Sequence, residues 1–97
     1  MNEKIDKQSV VDYVFIKQAG LEFEKHGDFY MFDISDETCI LNETAMFLFK
    51  NVGSRFTFLD ILDVLVDEYD VSKEDATEDL VFMLEDMLDI GVIEICS

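Results

Sequence analysis

Thr38-Cys39-Ile40-Leu41-Asn42-Glu43-Thr44-Ala45 is the stretch where the chain changes periodicity. Upstream of it, apolar residues alternate as they do in strands. Downstream, they recur every three or four residues as far as Gly91. Asn42 is a favourable N-cap, and Glu43 follows it where the positive end of a helix forms. The octet therefore reads as a short strand running straight into a helix. An edge strand beside a helix is also a place where a second chain can add on. No catalytic constellation accompanies it, so the expected function is binding.

Working back towards the N-terminus, Leu21-Glu22-Phe23-Glu24 alternates apolar with acidic, as a half-buried strand does. His26-Gly27-Asp28 reads as a turn, and Phe29-Tyr30-Met31-Phe32-Asp33 as a strand apolar on both faces. Ser35-Asp36-Glu37 is a second turn, before the third strand Thr38–Leu41. These three strands form an antiparallel meander whose last member can leave an open edge. Val14-Phe15-Ile16 reads only as an extended lead-in. Residues 1–12 are polar and read as a flexible N-terminus, with residues 13–97 as one domain.

Working forward, a first helix is expected over about Glu43–Asn51, closed by Gly53 as a left-handed cap. Thr57-x-x-Asp60 resembles a capping box, and a second helix follows to about Tyr69. Ser72-x-x-Asp75 repeats the signal before a third helix, which runs to about Ile90 and stops at Gly91. Val92-Ile93-Glu94-Ile95 is either a short terminal strand or an extended packed tail. The fold class is α+β: a three-stranded antiparallel sheet followed by three helices on one side of it.

The composition agrees with one folded domain. The 97 residues are 49% hydrophobic and include nine Phe, enough for a core. Twenty-three acidic against seven basic residues leave a net charge of −16. That field opposes nucleic-acid binding; it either favours a basic or amphipathic partner or simply keeps the chain in solution. Cys39 and Cys96 imply no disulfide framework, and the apolar neighbours of Cys39 suggest a buried thiol. No apolar run is long enough for a membrane span, and the N-terminus lacks the apolar core of a signal peptide, so a cytoplasmic location is expected.

In the third helix, Ala76, Leu80, Met83, Leu84, Met87 and Ile90 share the core face. Phe82 falls outside it, among Asp75, Glu78, Asp79, Glu85, Asp86 and Asp89. It is either a contact for a partner with apolar and basic side chains or a ring packed against the sheet or another loop.

Leu41-Asn42-Glu43-Thr44-Ala45 opening a helix, then Gly53 and Thr57, Ile61, Leu65 and Tyr69-x-Val71, Ala76-x-x-Asp79 and a helix ending at Gly91, together resemble the PqqD family. Its domain is also called the RiPP recognition element. The resemblance covers about residues 20–93, and Met83 and Met87 depart from it where Phe or Leu would be expected. It implies a winged-helix-like domain that binds the leader segment of a ribosomally made precursor peptide. Such a domain presents the leader to a modifying enzyme, often a radical-SAM enzyme, in natural-product biosynthesis. It also implies that the leader adds beside the third strand, in a groove walled by the third helix. The peptide-binding residues expected on this basis are Thr38, Cys39, Ile40, Leu41, Asp75, Asp79, Phe82, Met83 and Asp86. Because Leu41 directly precedes the cap, Cys39 and Leu41 are favoured as the inward pair.

No catalytic residue, metal site or cofactor is expected. His26 has no Cys or His at ligand spacing, and neither a calcium loop nor a phosphate-cradling loop occurs. The competing reading is an acidic winged-helix-like domain with a regulatory or protein-interaction role. DNA readers need a basic face, and Lys4, Lys7, Lys17, Lys25, Lys50, Arg55 and Lys73 do not cluster on any expected helix. The oligomeric state stays open, since an exposed strand edge can also pair with a copy of itself.

Overall fold

A computed structural model describes residues 12–96. The fold is α+β, with three helices and two three-stranded antiparallel sheets; winged-helix-like describes it only loosely. The elements are β1 (Val14–Lys17), β2 (Glu24–His26), β3 (Phe29–Ile34), β4 (Glu37–Asn42), α1 (Glu43–Lys50), β5 (Arg55–Thr57), α2 (Phe58–Glu68), α3 (Lys73–Ile90) and β6 (Ile93–Cys96). The flexible N-terminus expected over residues 1–12 lies almost wholly outside the described residues.

The meander is present, with strand order β2-β3-β4. Its first turn has Gly27 at φ 64°, and its second has Ser35 and Asp36 at φ 51° and 66°. Left-handed residues in a two-residue loop match the natural twist of a hairpin. The alternation of residues 21–24 correctly marks the inward side chains. Leu21 and Phe23 pack on the core, and the Phe23 ring lies 5.0 Å from Phe32 and 5.6 Å from Phe49. Backbone pairing, however, starts only at Glu24, opposite Met31.

A second sheet, of order β5-β1-β6, was not expected as such. The segment around Val14 is its central strand, paired on one side with β5 and on the other with the terminal strand β6. Phe15 is fully buried there and stacks on Phe56 with ring centroids 5.3 Å apart. This sheet ties both ends of the described chain together. Lys17 closes β1 with its ammonium 4.8 Å from the centre of the Phe49 ring, and burial lowers its pKa from the ordinary lysine value.

The helix starts follow local chemistry. Thr57 and Asp60 form a full capping box: the Thr57 Oγ1 accepts from the Asp60 N–H, and the Asp60 carboxylate accepts from the Thr57 N–H. Ser72 Oγ accepts from the Asp75 N–H. Helix ends differ from expectation in one place. Gly53 is not a left-handed cap. α1 ends at Asn51, whose N–H reaches the Phe47 and Leu48 carbonyls at φ −100°. Gly91 does cap α3, at φ 97° and ψ 10°.

The two glycines should respond differently to alanine. Gly91→Ala forces a side chain into the left-handed region, at a cost of about 1–2 kcal/mol. Gly53→Ala meets only the Arg55 carbonyl, at 3.5 Å, with no left-handed backbone to strain. Thermal unfolding of both variants should show a clear drop in midpoint for Gly91→Ala and little change for Gly53→Ala.

Candidate functional site

Asn42 is both the last residue of β4 and the N-cap of α1. Its Oδ1 accepts from the Ala45 N–H at 2.8 Å. The strand therefore passes into the helix with no loop between them. α3 lies across from this joint, and a cleft opens between the two. Ile40, Leu41, Asn42 and Ala45 line one side of it; Met83, Asp86, Met87, Asp89 and Ile90 line the other. Its cavity measures about 160 Å³.

The face assignment of β4 follows from its register. Cys39 sits opposite Phe32 and Leu41 opposite Tyr30. Leu41 and Phe32 are buried, whereas Ile40 is 55% exposed. Cys39 and Leu41 thus face inward, as expected. The Cys39 thiol is half-buried rather than fully buried, because the strand edge beside it is uncovered.

Hydrogen-bond parity then identifies which backbone groups are unpaired. The Glu43 N–H donates to the Asp28 carbonyl at 3.2 Å. Residues 28 and 43 are therefore a hydrogen-bonded pair, and antiparallel pairs alternate in type along the ladder. Leu41, Cys39 and Glu37 direct their main-chain groups to β3. Thr38 and Ile40 direct theirs to the outer edge, as does the Asn42 N–H, while the Asn42 carbonyl opens the α1 ladder. β4 is a terminal strand of its sheet, and the C-terminal strand β6 pairs with β1 in the other sheet. Among the described residues no strand occupies the β4 edge.

The expected site residues fall into three groups. Ile40, Leu41, Met83 and Asp86 line the cleft. Thr38 offers its main chain to the edge, while its Oγ1 donates to Asp33 Oδ1 at 3.0 Å on the outer sheet face; Cys39 lies beside it facing inward. Asp75, Asp79 and Phe82 lie on the outer face of α3 and not among the cleft-lining residues. Phe82 is 64% exposed, so it does not pack against the sheet. Asp86, one turn on from Phe82, belongs to both surfaces.

The cleft also contains residues that sequence reasoning did not assign to it: Asn42, Ala45, Met87, Asp89 and Ile90. Met87 is 1% exposed and forms the floor. The core stripe of the third helix already contained Met87 and Ile90, but periodicity cannot tell a core position from the bottom of a cleft. Met83 and Met87 make up much of the α3 wall. Unbranched and polarisable, they fit irregular apolar surfaces more readily than Phe or Leu.

The matching family model is that of coenzyme PQQ synthesis protein D (PqqD), over residues 30–93. The chain belongs to the PqqD family. The match starts in β3 and ends in β6, so it includes β4, α1 and α3, the three elements of the cleft. PqqD proteins are non-catalytic accessory partners in peptide-modifying pathways. No curated protein and no solved structure matched the chain. Among the described residues no group of His, Cys, Asp or Glu converges as a metal site, and no helix is long and apolar enough to cross a membrane.

The Asn42 cap is the joint of the cleft and should be measurable. Asn42→Ala is expected to lower stability by about 1 kcal/mol, whereas Asn42→Ser keeps an acceptor oxygen and stays close to wild type. Urea unfolding of the two variants checks this.

Proposed function

We propose that the protein captures the leader segment of a ribosomally synthesised precursor peptide and presents it to a modifying enzyme. The observation that carries this reading is the outer edge of β4: main-chain groups of Thr38 and Ile40, and the Asn42 N–H, without a strand partner, beside a largely apolar cleft walled by α3. An extended peptide laid along that edge gains affinity from backbone hydrogen bonds. It gains specificity from alternate side chains that enter the cleft. Membership of the PqqD family supports the accessory role; a radical-SAM enzyme is the proposed recipient, in the cytoplasm. The protein itself supplies no chemistry in this scheme, and binding needs no metal or cofactor.

Phe82 and its neighbours Asp75, Asp79 and Asp86 are proposed as a second contact, along the outer face of α3. An exposed ring among carboxylates suits a partner surface that is both apolar and basic.

Calorimetry with the N-terminal half of the cognate precursor tests the reading. Ile40→Pro removes an edge N–H that the β3 ladder does not use, and proline is tolerated on strand edges. The variant should keep the fold by circular dichroism and lose peptide binding by about tenfold or more. Phe82→Ala and Asp86→Lys should each weaken binding severalfold. Unchanged affinity in Ile40→Pro would exclude strand addition at β4; unchanged affinity in both other variants would remove α3 from the contact.

A further inference from the structure

The cleft has a chemistry more specific than an open edge requires. Its floor and walls are formed mainly by Leu41, Ala45, Met83, Met87 and Ile90, with Asn42, whose Oδ1 already accepts from the Ala45 N–H, the one polar side chain among them. Its rim on α3 carries two carboxylates, Asp86 and Asp89. Among the described residues neither carboxylate has an ion-pair partner, and the one basic residue of α3, Lys73, lies at the far end of the helix. A cavity of about 150 Å³ accepts a ring the size of benzene. At about 160 Å³, this cleft has room for one large apolar side chain.

Resting on the leader-capture reading above, we infer that the cleft selects an extended peptide with one large apolar anchor, flanked within two residues by lysine or arginine. The anchor is the guest residue whose side chain falls on the same sheet face as Leu41, directed onto Met87. Its neighbours in the strand point away from the floor. Long basic stems at those positions can lie over the rim and bring their charges to Asp86 and Asp89. An acidic neighbour there would meet two like charges within a net field of −16. The selectivity lies in a rejected class as well as a preferred one: a leader with the same anchor between Asp or Glu is excluded.

The test uses short fluorescein-labelled synthetic peptides on a Thr/Ser background and the full-length protein, read by anisotropy. One peptide carries Leu between lysines, one carries Leu between glutamates, and one carries lysines with Ser in place of Leu. The Leu–Lys peptide should bind at least about tenfold tighter than either of the others, and its affinity should fall with added salt. Asp86→Lys combined with Asp89→Lys should reverse the preference between the lysine and glutamate peptides. Asp63→Lys combined with Asp67→Lys makes the same change in net charge on α2 and should leave the order intact. If the α2 pair acts as strongly as the α3 pair, the effect is that of the overall field and the inference falls. It falls equally if the Ser peptide matches the Leu peptide, or if no peptide binds. Ile40→Pro separates the two levels. Binding that is lost in Ile40→Pro but indifferent to anchor and charge sinks this inference alone; binding that survives Ile40→Pro sinks strand addition with it.

Discussion

The hydrogen bond from the Ala45 N–H to Asn42 Oδ1 is the constraint on which the cleft depends. It makes one residue serve as the end of a strand and the start of a helix. With no connecting loop, the direction of α1 is set by that of β4. Leu41 turns inward on one side of the joint and Ala45 packs inward on the other. Both are buried, and together they give the cleft one continuous apolar wall. The small side chain at position 45 matters here, because a larger one would occupy the space between strand and α3.

The remaining structure holds α3 at the correct distance from that wall. Leu80, Leu84 and Met87 are buried in the shared core, and Gly91 turns the chain sharply into Val92 and Ile93, which are buried too. β6 then pairs with β1, away from the meander. The second sheet is therefore more than additional core. By taking up the C-terminal strand, it keeps that strand off the β4 edge.

Local signals in the sequence foretold the parts that depend on local chemistry. Asn42, Thr57 and Ser72 announce their helices because a cap is a contact between residues three apart. Alternation marked the inward side chains of residues 21–24, and the position of Leu41 next to the cap decided between the two faces of residues 38–41. The second sheet was not legible. Arg55-Phe56-Thr57 is too short to show a period, and its partner Val14-Phe15-Ile16 lies about forty residues away, so only tertiary pairing makes either a strand. Gly53 misled because a glycine after a helix usually supplies a left-handed residue. Here Asn51 ends the helix instead, its side-chain amide donating to the Phe47 carbonyl. Half of the cleft was hidden for a further reason. Met87 and Ile90 satisfy the pattern of ordinary core residues, and only the spacing between α3 and β4 shows that they line an opening.

The uncovered strand carries a hazard of its own. An exposed row of amides and carbonyls topped by Ile40 is a template on which a second molecule of the same kind could stack. Each such molecule brings the same −16 charge, so homotypic stacking is opposed at every approach. The repulsion comes from the whole surface as well as from the strand itself, whose one charged side chain, the exposed Glu37, stands at its start.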